Sequence, residues 1–190
     1  YASLAAIRNS RNILNPGTAY YAYYPGDANS PVWNNSGTFT KNPGTGLFYF
    51  NTIYVNNSGL LDLPTGRLSI NNSILTNSAT VNLSAAATLT FDAGNTSAFL
   101  PGSSLNSPAG NHVIFSAGTV HLQTTNVSTP SLWISGGTLY QQTNNMVPTI
   151  NQDAGTWRLS LATTVANYNL TNGELRGGTL TVTNFNWQNG

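Results

Sequence analysis

The chain has 190 residues, enough for one core, but only 6 Lys+Arg and 5 Asp+Glu, where a soluble domain usually carries about 25% charged residues. A net charge of +1 and zero cysteines leave no electrostatic footprint for nucleic acid or anionic lipid and exclude disulfides, thiolate zinc sites and thiol nucleophiles. No apolar run reaches the roughly 18 residues of a bilayer span, so neither a nucleic-acid partner nor membrane insertion is expected. Asn, Thr, Ser and Gly supply 27, 25, 18 and 18 residues, nearly half of the protein, so the surface must consist of amides and hydroxyls.

Residues 1–32 stand apart from the rest. Tyr1 opens the chain with no charged segment and apolar run behind it, which reads as a processed chain or an internal piece of a longer one. Ala2 to Leu14 is the only stretch that suits a helix. The cluster Tyr20, Tyr21, Tyr23 and Tyr24 comes next, between Pro16-Gly17 and Pro25-Gly26. The segment is expected to be a cap over the first coil of the repeat region, or an arm that docks on a neighbouring molecule.

From residue 33 to 190 apolar residues come in short alternating bursts, the pattern of half-buried strands. Leu47 to Phe50, Leu68 to Ile70, Val81 to Leu83, Leu89 to Phe91, Val113 to Phe115, Leu132 to Ile134, Trp157 to Leu161 and Leu180 to Val182 are the clearest. A small residue followed by a polar and an apolar one recurs as Gly37-Thr38-Phe39, Gly59-Leu60-Leu61, Ala79-Thr80-Val81, Gly118-Thr119-Val120, Gly137-Thr138-Leu139, Gly155-Thr156-Trp157 and Gly173-Glu174-Leu175. Its members are spaced by 22 and 20 early and by 19, 18 and 18 late. A second series, Gly66-Arg67-Leu68, Ala87-Thr88-Leu89 and Gly178-Thr179-Leu180, reads as the next side of the same coil. A period of about 20 residues means a solenoid. The predicted fold is an all-β, right-handed parallel β-helix with coils of about 18–22 residues. The alternative, a hairpin sandwich, needs Asn-Gly or Asp-Gly tips about every 8–12 residues, and Asn-Gly occurs only at Asn172-Gly173 and Asn189-Gly190.

The repeat places Val120, Leu139, Trp157 and Leu175 in one inward column. One residue on, His121, Tyr140, Arg158 and Arg176 form an outward column able to grip a sugar face or a carboxylate. Trp133 also falls on the outward parity, in a lateral interface or under a glycan. Near the C-terminus Leu180 and Val182 share one parity and Phe185 and Trp187 the other, which predicts a corner at Thr183-Asn184.

Trp33 to Lys41 (WNNSGTFTK), Val55 to Leu61 (VNNSGLL), Gly66 to Ile70 (GRLSI) and Gly178 to Trp187 (GTLTVTNFNW) resemble repeat modules of large secreted or cell-surface parallel β-helix proteins. These are similar in architecture to autotransporter passengers and filamentous-haemagglutinin-like adhesins, and occur in bacteria and some protists. The resemblance covers residues 33–190 and implies an extracellular shaft, adhesin or filament that associates with itself, with no catalytic residues to carry over. Residues 1–31 depart from it.

Catalysis is not expected. Glycoside hydrolysis needs two carboxylates facing one substrate, and lyases need acidic calcium ligands. Asp27, Asp62, Asp92, Asp153 and Glu174 are separated by 35, 30, 61 and 21 along the chain, and the repeat brings no two together. Asn151-Gln152-Asp153 reads as a turn. His112 and His121 lack acidic companions, so no metal site and no cofactor are predicted, and Lys41 has no phosphate-loop context. Thr38/Thr40, Thr88/Thr90 and Thr179/Thr181/Thr183, which could form an ice-binding ladder, do not recur coil after coil on one face.

Asn-x-Ser/Thr sequences stand at Asn34, Asn56, Asn71, Asn82, Asn95, Asn126 and Asn169. Chance alone gives about six for 27 Asn among 43 Ser and Thr in 190 residues, so the count shows no selection; in a secreted eukaryotic protein they would be surface acceptors for glycans. The rival reading to a shaft is a carbohydrate-binding or carbohydrate-cleaving module.

Overall fold

A computed structural model describes residues 32–41, 44–110, 112–145 and 147–188, and the backbone of 20–23. The stretch read as helical, Tyr24 and Asp27 lie outside these residues. Each alternating burst forms a strand that pairs in parallel with the strand one coil on. Among the described residues twenty-two strands make three parallel sheets of nine, eight and five strands, and no described pairing is antiparallel, which removes the hairpin sandwich. The chain is a β-solenoid. A full coil runs Leu47–Asn51 in the first sheet, Tyr54–Asn57 in the second and Leu60–Leu63 in the third; the next runs Gly66–Asn71, Ile74–Asn77, Thr80–Leu83. Tyr20–Tyr23, within the segment read as cap or arm, is a strand that pairs with Leu47–Asn51 and heads the first sheet.

The core is a set of axial columns. In the first sheet Phe48, Leu68, Leu89 and Val113 lie in register, and Leu132, Ile150, Tyr168 and Phe185 continue the inward row. In the second, Trp33, Val55 and Leu75 open a row that Val120, Leu139, Trp157 and Leu175 complete. Phe39, Leu61, Val81, Leu105 and Val127 form the row of the third. Nearly all of these side chains are buried. The first coils concentrate their aromatics: Trp33, Phe39, Phe48 and Phe50 sit with ring centroids 5.0–5.7 Å apart, within the range where edge and tilted contacts add to burial.

Coil length is not constant. The first-sheet row steps from Leu68 to Leu89, an advance of 21, and from Leu89 to Val113, an advance of 24. After Asn126–Ser128 the third sheet ends, and Leu132 meets Ile150 and Ile150 meets Tyr168 at steps of 18. This corrects the reading of one seven-membered repeat. Gly37, Gly59 and Ala79 lead into the third sheet, whereas Gly118, Gly137, Gly155 and Gly173 lead into the second. At both corners the glycines stand where stacked backbones approach closely, although Ile53 and Asn95 hold the same place in earlier rungs of the second sheet. A Cβ on Gly59 would lie 2.0 Å from the Gly37 carbonyl oxygen, and one on Gly155, at φ +76°, 2.2 Å from that of Gly137. The Gly178 triplet leads into the first sheet, as the Gly66 and Ala87 triplets do, but in another register: Leu180 pairs with Thr163, and it is Phe185 that continues the Leu68–Leu89 row.

The predicted corner is present. Thr163–Leu170 and Leu180–Trp187 pair on either side of Ala166 and Thr183, which have no register partner, and the inward positions shift from Thr163 and Val165 to Tyr168. Trp157–Leu161 is shorter than expected, its strand ending at Leu159.

Candidate functional site

Buried polar residues cluster at the corners and bond internally, and among the described residues Asn145 Oδ1 alone is buried without a hydrogen-bond partner. Asn35, Asn57 and Asn77 stack in register at the exit of the second sheet. Asn35 Nδ2 donates to Asn57 Oδ1 at 2.7 Å and Asn57 Nδ2 to Asn77 Oδ1 at 2.6 Å. Their remaining N–H groups reach the carbonyls of Leu60, Gly59 and Ala79. Sequence reasoning missed this ladder, because Asn-Asn-Ser-Gly looks like surface and like a glycan acceptor. In each of the first two coils the first Asn points out and the second points in. Lys41 was also unforeseen. Thr40 faces Asp62, which places Lys41 at the head of the Leu63–Leu83 row; it is 1% exposed, and its Nζ donates to the carbonyls of Gly44 and Thr65 at 2.9 and 3.0 Å. Burial holds its pKa below the ordinary lysine value.

The late coils satisfy their buried polar groups differently. Gln141 Oε1 accepts from the Trp157 indole N–H at 3.2 Å, and Gln152 Oε1 from the Tyr168 hydroxyl at 2.6 Å. Burial raises the Tyr168 hydroxyl to about 12.

The predicted outward column exists in the register expected: His121 faces Tyr140, Tyr140 faces Arg158, and Arg158 faces Arg176. The His121 and Tyr140 rings meet edge to face at 5.1 Å, and the Arg158 guanidinium lies 4.7 Å from the Tyr140 centroid. Gln142 Oε1 accepts from His121 Nδ1 at 2.9 Å, which fixes the imidazole. Arg176 pairs with Glu174 at 2.5 Å, and that carboxylate raises its pKa. These side chains line a recess of about 360 Å³ with Thr119, Thr138 and Thr156. A threonine column that sequence reasoning missed lies beside it: Thr96, Thr119, Thr138 and Thr156 recur in one outward column over four rungs. The neighbouring column carries His121, Tyr140 and Arg158, so the face is not a flat threonine array.

A second recess, of about 310 Å³, opens on the outer face of the first sheet among Trp133, Asn151, Asp153, Asn169, Thr171, Asn186 and Gln188. Trp133 Nε1 donates to Asp153 Oδ2 at 2.7 Å.

The four described acids, Asp62, Asp92, Asp153 and Glu174, lie on or beside different strands. Asp92 accepts two bonds from Arg67 Nη2, at 2.9 and 2.7 Å, and one each from Ser69 and Thr90; Asp153 serves Trp133 and Thr171; Asp62 lies on the third sheet. Among the described residues no group of three His, Cys, Asp or Glu could hold a metal ion. His112 Nδ1 donates to the Ala87 carbonyl at 2.6 Å. Of the seven acceptor asparagines none is buried; Asn56 donates to Asn34 at 2.9 Å and Asn82 accepts from Asn106 at 2.8 Å. No described helix is long and apolar enough to cross a membrane. No family model, curated protein or solved structure matches the chain.

Proposed function

We propose that the chain is an extracellular structural protein, the shaft of a surface adhesin or a subunit of an extracellular filament. The observation that carries this reading is the division of labour between inside and outside. Inward rows run from rung to rung along the axis, while the outer faces are ranks of Asn, Thr and Ser. A long, nearly uncharged rod of this kind resists bending through its backbone ladders and stays hydrated through amides and hydroxyls. The last described rung presents Leu175, Phe185 and Trp187 at 38%, 54% and 63% exposure. Self-association, end to end or lateral, is part of this reading.

Electron microscopy of the native material, without concentrating it, tests the reading. Long rods or fibres of uniform width are expected. Compact particles no longer than the described coils would remove it.

The recess over His121, Tyr140, Arg158 and Arg176 favours one second reading, a module that binds an acidic saccharide. An arginine stacked on a tyrosine offers a carboxylate both charge and donors. Saturable binding of an oligouronate that disappears in Arg158→Ala with an unchanged melting curve would support it, and undiminished binding in that variant would exclude it.

A further inference from the structure

We propose that the recess headed by Trp133 is a binding site for a neutral, extended oligosaccharide lying along the solenoid axis. The site is independent of the shaft reading and of the arginine column, which belongs to the second sheet.

The recess is built from one outward row and its neighbour. Trp133 faces Asn151, Asn151 faces Asn169 and Asn169 faces Asn186 across four successive rungs. Asp153, Thr171 and Gln188 follow at the adjoining corner, their backbone N–H groups bonded to Ile134, Gln152 and Leu170 of the preceding rung. The indole is the one aromatic group at the site, and it is partly exposed. Its edge is fixed by the 2.7 Å bond to Asp153 Oδ2, while Thr171 Oγ1 donates to Asp153 Oδ1 at 3.2 Å. Asn169 Nδ2 donates to Asn151 Oδ1 at 2.7 Å, which aligns the amides along the row.

These features select a ligand class. An indole face held at one end of a polar trough offers an apolar plate against which the C–H face of a sugar ring can lie. Beyond it the lining is amide and hydroxyl, groups that donate and accept as sugar hydroxyls do. The only charged residue lining the trough is Asp153; with no cation there, acidic sugars, phosphates and sulfates are disfavoured. Rungs about 4.8 Å apart repeat these amides at close to the length of one ring in an extended saccharide. A volume of about 310 Å³ lies at the small end of ligand sites, which run from about 300 Å³ upward, and fits a short stretch of such a chain. Asn169 is itself an acceptor asparagine, so the saccharide can be free or carried by this chain. An N-linked amide keeps one N–H, enough for its bond to Asn151.

The test is titration of the full chain with neutral hexasaccharides of glucan, mannan and chitin type, read by tryptophan emission and calorimetry, with an oligouronate as charge control. Saturable binding of at least one neutral sugar is expected, with affinity reduced about tenfold or more in Trp133→Ala. The melting curve should not move, because Trp133 lies outside the core rows. Asn151→Ala, a smaller change in the same row, is expected to weaken binding without removing it, and Arg158→Ala to leave it intact. The native chain provides the second arm. A sugar found on Asn169 by mass spectrometry, whose enzymatic removal changes Trp133 emission, would assign the trough to the chain's own glycan. Binding by a chain with unmodified Asn169 would assign it to an outside saccharide. The proposal is overturned if Asn169 is bare and no neutral sugar binds, if binding survives Trp133→Ala, or if the oligouronate binds better than every neutral sugar.

Discussion

The early coils, residues 32–128, and the late coils, residues 131–187, solve one packing problem in two ways. Early coils have three sheets, first-sheet steps that grow from 20 to 24, and an asparagine ladder at one corner. Late coils lack the third sheet, take shorter steps of 17 to 19 and pair buried glutamines with Trp157 and Tyr168. The inward rows of the other two sheets continue through the change. What a solenoid must conserve is therefore the register of its rows. The length of each coil and the chemistry of its corners can vary, provided nearly every buried donor and acceptor is met, Asn145 Oδ1 being the exception among the described residues.

The largest expected effect tests whether the late rows are as essential as the early ones. Leu139 is fully buried in the second-sheet row, so Leu139→Asp should abolish cooperative unfolding by burying an unpaired charge. Leu180→Asp, on a partly buried side chain of the last described rung, should cost less. Equal melting curves for the two variants would contradict the row model.

The corners differ in how many partners each amide serves. Asn57 bonds Asn35, Asn77 and the Gly59 carbonyl, so Asn57→Ala is predicted to destabilise by about 3 kcal/mol through the buried groups it strands. Gln141 serves Trp157 and the Thr143 carbonyl, and Gln141→Leu should cost about 1–2 kcal/mol. Chemical denaturation of both variants checks the order, and a larger loss in the glutamine variant would reverse the comparison.

A pH titration separates the regions further. The Tyr168 hydroxyl is raised from 10.0 to about 12, so its contribution is complete below pH 10 and is lost as pH climbs toward 12. Lys41, lowered by burial, contributes with the opposite sign in the alkaline range and is common to parent and variant. The melting temperature of Tyr168→Phe should therefore fall less than the parent's between about pH 10 and 12. An equal fall would mean that the late hydroxyl is not held as described.

The smallest effect belongs to the outer face. Asn56 is exposed beside the buried Asn57, and Asn56→Ala should change stability by less than about 0.5 kcal/mol. A large loss would place the ladder's support outside the core.

Much of this was legible in the sequence where coil length is constant. Regular steps of 18 or 19 put Val120, Leu139, Trp157 and Leu175 in one row and His121, Tyr140, Arg158 and Arg176 beside it, and the structure has both. The parity change between Val182 and Phe185 likewise revealed a corner. Where the step grows to between 20 and 24, small residues no longer identify one side, because they serve corners of more than one sheet, and triplets from two sheets merged into a single series. The threonine row was missed for that reason: Thr96 precedes Ser97 and has no glycine before it. Asn35, Asn57, Asn77 and Lys41 were hidden by their own chemistry. A polar residue on the inward parity reads as a break in the pattern unless its partners, one coil away, are known.

Amide hydrogen exchange followed along the chain by mass spectrometry tests most directly the claim that long and short coils form one continuous stack. The account predicts slow exchange at the strand N–H groups of both 47–128 and 131–170, rising only in the last rung, Leu180–Trp187. Fast exchange throughout 131–170, with protection confined to the three-sheet coils, would contradict it.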